Sequence, residues 1–265
     1  MALRLAGARV LLTGASGGLG TALARRLAAE RCELILTGRR VDALEALAAE
    51  LGARALIADL AEREALERLL DATGEVDVLI ANAALPGSGR LVALAPTDVD
   101  RALEVNLRAP IALAHRLVPA MVERGSGHVV FIGSLSGKAA SGGASIYSAT
   151  KAGLRAFALS LRTELAAAGV GVSLVAPGFI ADAGLFSDTA IKLPRGMSTT
   201  TAEAVADAVV RAIVHNRGEI DVAALPMRLG AAAANLAPAT AARVGRLIGA
   251  EALALEFERR QADKR

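Results

Sequence analysis

Short apolar runs alternate with longer stretches in which alanine, leucine and charged residues recur at helical spacing, and the alternation holds over the first 220 residues. That pattern predicts βαβ units and a parallel sheet. Seven strands are expected near 8–13, 33–37, 53–58, 76–81, 127–133, 170–176 and 219–222, with helices near 18–30, 41–51, 62–72, 97–124, 146–168 and 201–216. Val76-Asp-Val-Leu-Ile-Ala81 and Val170-Gly-Val-Ser-Leu-Val-Ala176 are apolar almost throughout, as strands covered on both faces must be. In the second helix Leu44, Leu47, Ala48 and Leu51 fall on one stripe. No linker, internal repeat or low-complexity tract divides the chain. One doubly wound α/β domain over 1–265 is expected, its core at about 8–222 and a helical extension at about 223–265.

Two stretches carry candidate chemistry. Thr13-Gly-Ala-Ser-Gly-Gly-Leu-Gly20 joins the first strand to the first helix, and its glycines permit a tight turn that brings backbone N–H groups and a helix N-terminus close to phosphate. Taken alone, such a loop could equally be a plain strand-to-helix connection. The second stretch runs from Ser134 to Lys151. It holds Tyr147, the one tyrosine in 265 residues, and Lys151 follows at the i+4 spacing that shares a helix face. A phenol loses its proton at about pH 10 in water, and a neighbouring ammonium favours the phenolate, so the pair is suited to acid–base work nearer neutrality. The bland alternative for Tyr-x-x-x-Lys is an amphipathic surface helix.

Composition narrows the class. At 54% hydrophobic content the chain can bury a substantial core, yet charged residues interrupt every helix-like stretch, and no run reaches membrane-spanning length. The first strand begins almost at the N-terminus, leaving no room for a signal peptide, so a soluble, cytoplasmic protein is expected. Cys32 is the single cysteine and fits a reducing compartment, with core packing as its expected role. A net charge of +3 with one Tyr, five Phe and no Trp gives no aromatic-interleaved basic patch for nucleic acid. His115, His128 and His215 lie far apart in sequence, so no metal site is expected.

In joint order and spacing, Thr13–Gly20, Asp59-Leu60, Ala81-Asn-Ala-Ala84, Asn106, Ser134, Tyr147, Lys151 and Pro177-Gly178 resemble the short-chain dehydrogenase/reductase family over about 8–222. The resemblance implies a Rossmann-type fold and hydride transfer between a nicotinamide and a carbonyl or secondary alcohol. Nucleotide contacts are implied for Gly14, Ser16, Gly17, Gly18, Leu19 and Gly20 at the phosphates, for Asp59 and Leu60 at the adenine, and for Asn82 at the sheet and ribose. Pro177, Gly178 and Ile180 belong to the loop that covers the nicotinamide. Asp182 stands where the family carries a threonine, and Asp59 could alternatively cap the following helix. At the end of strand two an NAD-binding site would place a carboxylate, but this chain has Gly38 followed by Arg39 and Arg40. A guanidinium there suits a 2′-phosphate, so NADP(H) is the expected cofactor, with NAD(H) as the alternative and solvated arginines as the competing reading.

The resemblance casts Ser134, preferred over Ser136 for its thirteen-residue lead on Tyr147, as the carbonyl's hydrogen-bond partner. It casts Tyr147 as general acid/base, Lys151 as the residue that lowers the tyrosine pKa and holds the ribose, and Asn106 as the holder of a relay water. Asn106, mid-helix in Leu103-Glu-Val-Asn-Leu107, could otherwise be a satisfied core polar group. Residues 183–200 read as a substrate lid, and the apolar residues around Leu185 and Phe186 suggest a small hydrophobic substrate. Direction is left open between carbonyl reduction and alcohol oxidation. A non-catalytic nucleotide-binding protein on the same fold is the alternative from another class. Homodimers or homotetramers through helices 97–124 and 146–168 are expected. The extension, broken at Pro226 and Pro238 and ending in Glu256-Phe-Glu-Arg-Arg260, could cross a subunit partner or cover the cleft. It could also lie on a membrane with Arg243 and Arg246 toward headgroups, the least favoured option because acidic residues dilute its basic face.

Overall fold

A computed structural model describes residues 3–87, 89–183 and 198–247. Its strands are β1 (Arg9–Thr13), β2 (Glu33–Gly38), β3 (Arg54–Ile57), β4 (Val78–Ala81), β5 (Gly127–Ile132), β6 (Val170–Pro177), β7 (Phe179–Ile180), β8 (Thr199–Thr200) and β9 (Glu219–Val222). Seven of them form one parallel sheet in the order β3-β2-β1-β4-β5-β6-β9, while β7 and β8 pair separately. The helices are α1 (Gly18–Ala29), α2 (Val41–Leu51), α3 (Arg63–Thr73), α4 (Pro96–Leu103), α5 (Ala109–Glu123), α6 (Ser145–Glu164), α7 (Ala202–Val214), α8 (Leu225–Leu236) and α9 (Pro238–Leu247).

Alternation along the strands builds two cores. Val10, Leu12, Leu34 and Leu36 face α1, α2 and α7, whereas Leu11, Ile35, Leu79, Val129 and Phe131 face α3, α5 and α6. Both layers are closed by leucine and alanine stripes at helical spacing. Phe131 also meets Phe157 edge to face, with ring centroids 5.6 Å apart. The seven expected strands are all present within a residue or two of their expected bounds.

The long helix expected over 97–124 differs in one respect: α4 and α5 are joined by a π-helical stretch, Glu104–Arg108, centred on Asn106. A wide turn of this kind is a common device for presenting a polar group at a functional site. Pro226 and Pro238 stand at the starts of α8 and α9, where a missing N–H costs nothing, so they begin helices rather than only interrupting them. Cys32 packs against the first core and its Sγ lies 3.4 Å from the Leu5 carbonyl; burial pushes the thiol up to about 11, which keeps it protonated and unreactive.

At the sheet edge opposite the strand C-termini, His128 is buried with its Nε2 2.8 Å from Ser173 Oγ, and that hydroxyl donates to the Arg217 carbonyl at 2.6 Å. Ser173 therefore accepts from His128, which fixes the Nε2–H tautomer. Burial first, with Arg162 adding to it, lowers the imidazole from 6.5 to about 3. The unfolded chain takes up a proton below about pH 6.5, but the folded chain resists it until about pH 3. Stability from this group is complete above 6.5 and drains as pH falls, by about 1.4 kcal/mol per unit. Urea midpoints measured between pH 7 and pH 4 should fall accordingly, and His128→Gln should flatten the slope; an equal slope in the variant would remove His128 as the cause.

Candidate active site

In the middle of the sheet β1 lies beside β4, and the chain leaves the first toward one face through α1 and the second toward the other through α5. A crevice opens where connections diverge at strand C-termini. The glycine turn fills its floor. Gly14 has φ +64°, and a Cβ there would stand 2.8 Å from Ala83 Cα, while a Cβ on Gly20 would stand 2.1 Å from the Gly14 carbonyl oxygen. Only glycine fits either position. Gly17 caps α1, whose backbone ladder begins with the Thr21 N–H on the Gly17 carbonyl at 2.8 Å. The N–H groups of Gly18, Leu19 and Gly20 precede that ladder and are what a helix start offers an anion.

Asn82 locks this turn instead of reaching outward. Its Nδ2 donates to the carbonyls of Thr13 at 2.9 Å and Gly14 at 3.2 Å. The Thr13 hydroxyl accepts both the Asn82 and Ala83 N–H groups at 3.0 Å, so the first residue of the motif is a hub that sequence reasoning gave no such part.

Along the β2 rim, the side chain of Arg39 is half exposed, with its guanidinium 3.7 Å from Asp59 Oδ2. Arg101 on α4 holds the same oxygen at 2.5 Å, a partner that nothing in the sequence pointed to. Asp59 Oδ1 accepts from Ala61 N–H at 3.0 Å, but α3 starts only at Arg63, so Asp59 closes a turn before the helix and does not cap it. Burial pushes this carboxyl up, and the Ala61 N–H and Arg101 outweigh it, leaving the group below its ordinary range. Arg40 donates to the Ser16 carbonyl, tying the rim to the glycine turn. Leu60 and Ile180 are buried in the cores, which leaves only their backbones available to a ligand.

Across the crevice, β5 delivers Ser134 and α6 delivers Tyr147 and Lys151. Ser134 Oγ accepts from Ser136 N–H at 3.1 Å, and the hydroxyl lies close enough to the Tyr147 phenol to favour its ionised form. Lys151 is buried, donates to the Ile132 carbonyl at 2.9 Å and stands 5.7 Å from the centre of the Tyr147 ring. Burial lowers its ammonium from 10.5 to about 8. Burial also pushes the Tyr147 phenol above its ordinary value. Lys151 is not among the groups that set this shift, which burial raises and Ser134 alone opposes.

Asn106 sits behind this trio and is fully satisfied. Its Oδ1 accepts from Leu85 N–H at 2.7 Å and its Nδ2 donates to the Leu85 carbonyl at 2.9 Å, with Thr150 Oγ1 at 3.5 Å. The side chain thus takes the core-polar alternative. The loop it grips also receives the Tyr147 N–H on the Gly87 carbonyl at 3.3 Å. Leu85 and Gly87 belong to the site through backbone bonds, which leave no sequence signal, and Thr150 through its hydroxyl, which donates to the Tyr147 carbonyl at 2.8 Å.

Past β6, Pro177 is buried in the strand end and Gly178 packs near Leu135, Ala223 and Met227. Asp182 turns away from the crevice and accepts from Ala202 N–H at 2.9 Å, capping α7 together with Thr201. Its departure from the family's threonine is thus explained by a structural task. Leu185 and Phe186, on which the hydrophobic-substrate reading rests, lie outside the described residues, as do residues 184–197 of the expected lid. Among the described residues no three potential ligands cluster as a metal site would require.

A glycine turn at the switch point of a parallel sheet, with a Ser-Tyr-Lys group facing it, defines a Rossmann-type oxidoreductase. The family model for short chain dehydrogenase matches residues 8–190. A ketoacyl reductase, HetN, from Nostoc sp. is 34% identical over 98% of this chain and 94% of its own length. The NADP-dependent 3-hydroxy acid dehydrogenase YdfG of Salmonella typhi is 36% identical over 64% of this chain and 72% of its own. A short-chain dehydrogenase from Sphingobium yanoikuyae, solved in complex with NADPH, superposes with a TM-score of 0.76 at 29% identity, covering 91% of this chain and 94% of that one. The chain belongs to the short-chain dehydrogenase family.

Proposed function

We propose that this protein is an NADP(H)-dependent carbonyl reductase acting on a hydrophobic ketone, with a ketoacyl group the favoured class. The residues present fit such a nucleotide. The glycine turn and the α1 start suit its phosphates, and Arg39 and Arg40 at the β2 rim suit a 2′-phosphate where NAD would want a carboxylate. Nicotinamide, when bound, supplies the hydride. Everything else falls to the chain.

Ser134 is assigned to hold the carbonyl oxygen and Tyr147 to deliver the proton to it. The single observation that carries this reading is the grouping of Ser134, Tyr147 and a buried Lys151, whose Nζ stands 5.7 Å from the centre of the Tyr147 ring, with desolvation favouring the protonated phenol. A group that holds its proton until an oxyanion develops is suited to donate it. Lys151 is assigned to the ribose hydroxyls and Asn106 to positioning, because its side chain fixes the Leu85 loop. The NADP-dependent and NADPH-bound relatives and the ketoacyl reductase support cofactor and substrate class. We also place the protein in the cytoplasm, as one domain assembling into dimers or tetramers through α4–α5 and α6; among the described residues no helix is long and apolar enough to cross a membrane.

The test is NADPH and NADH titration followed by ketone turnover across pH. Micromolar binding of NADPH with much weaker NADH is the expected result, and a preference for NADH would overturn the cofactor assignment. Lys151 must be protonated to act, and its pKa falls from 10.5 to about 8. kcat/KM for NADPH should therefore be flat below about pH 8 and decline above it. A first alkaline inflection above about pH 10 would show that Lys151 titrates as in water.

A further inference from the structure

Helix α8 presents an unusual surface. Leu225 and Leu229 are each 61% exposed and Leu236 is 85% exposed. At 100° per residue these three positions, with the exposed Ala232 between them, fall within about 60° of one another around the axis. Ala231, by contrast, is buried against the body of the protein. A stripe of leucines facing water on a helix of only twelve residues is uncommon on a soluble surface and marks an interaction site.

The charge around the stripe indicates what covers it. Residues 222–250 contain no Asp or Glu and three arginines, Arg228, Arg243 and Arg246. The acidic residues of the extension begin only at Glu251, so α8 and α9 themselves carry no carboxylate. Arg228 and Arg243 are exposed, while the side chain of Arg246 lies outside the described residues. Two copies of this helix meeting about a two-fold axis would cover Arg228 of each with no carboxylate from α8 or α9 to pair it. A nucleic acid would leave the leucines in water. An anionic lipid surface takes both features, leucines into the acyl boundary and arginines at the headgroups.

We propose that α8 is a peripheral docking face for anionic membranes. The position of the helix gives the contact a use: Met227 lies beside Gly178 at the end of β6, so a protein seated on α8 holds the rim of its crevice at the lipid surface. Docking stands on α8 and does not depend on the cofactor or substrate assigned above.

The chain has no tryptophan, so Leu229→Trp in the full-length protein gives a background-free reporter. Vesicles of mixed phosphatidylcholine and phosphatidylglycerol should pellet the protein and shift the Trp emission to the blue, in a salt-sensitive manner. Arg228→Glu and Arg243→Glu should each weaken binding by roughly fivefold or more. A Leu225→Ser, Leu229→Ser, Leu236→Ser triple variant should abolish it with thermal midpoint and turnover unchanged. Equal, salt-insensitive binding to phosphatidylcholine alone would overturn the anionic assignment. Absence of vesicle binding would overturn docking altogether. In that case a change of oligomeric state in the triple variant, read by sedimentation velocity, would assign the face to a second copy of the chain.

Discussion

Replacing Tyr147 by Phe is expected to lower kcat for ketone reduction by roughly a thousandfold or more while leaving the NADPH dissociation constant within about twofold. The reason is local. Phenylalanine keeps the ring and its packing on α6, and keeps the Tyr147 N–H on the Gly87 carbonyl, so the Leu85–Gly87 loop and the crevice wall stay in place. What disappears is the phenol and its proton, which desolvation favours on that oxygen. Single-turnover reduction with saturating NADPH reads the chemical step. Retention of even a tenth of the wild-type rate would move the proton to another donor and leave Tyr147 a packing residue.

Arg39→Asp is expected to lower kcat/KM for NADPH by roughly a hundredfold, through loss of a charge-assisted hydrogen bond and repulsion of the 2′-phosphate, while kcat/KM for NADH changes little or rises. Arg39 stands 3.7 Å from an Asp59 carboxylate that Arg101 already holds at 2.5 Å. The stronger claim of Arg101 on that oxygen leaves the Arg39 guanidinium, half exposed, able to turn to a phosphate. Steady-state constants for both nucleotides in the same variant make the comparison internal. If both fall together, the substitution has damaged the rim, and if neither changes, the arginines at 39 and 40 are solvated surface.

Both predictions depend on how local and distant information meet. The strands, the glycine turn and the Tyr-x-x-x-Lys pair were legible in sequence because each is a short-range pattern: an apolar run of strand length, glycines where a Cβ would collide, two side chains one helical turn apart. Asn106 was legible as an anomaly, since an amide on a buried helix needs a partner, but the partner proved to be the Leu85 backbone and the helix proved to widen into a π turn around it. Asp182 was legible only as a mismatch, and its bond to Ala202 N–H shows that it caps α7.

By itself, then, the sequence determined the parallel α/β architecture, the place of the glycine turn and the chemical identity of the Ser134, Tyr147 and Lys151 group, because these follow from residue type at close spacing. The tertiary structure decided the rest. Which carboxylate Arg101 reaches 42 residues away, which loop Asn106 grips, and whether a phenol beside a lysine gains or loses acidity depend on long-range packing and desolvation. Those quantities come into being only when the chain has excluded water, and a linear pattern of residues does not contain them.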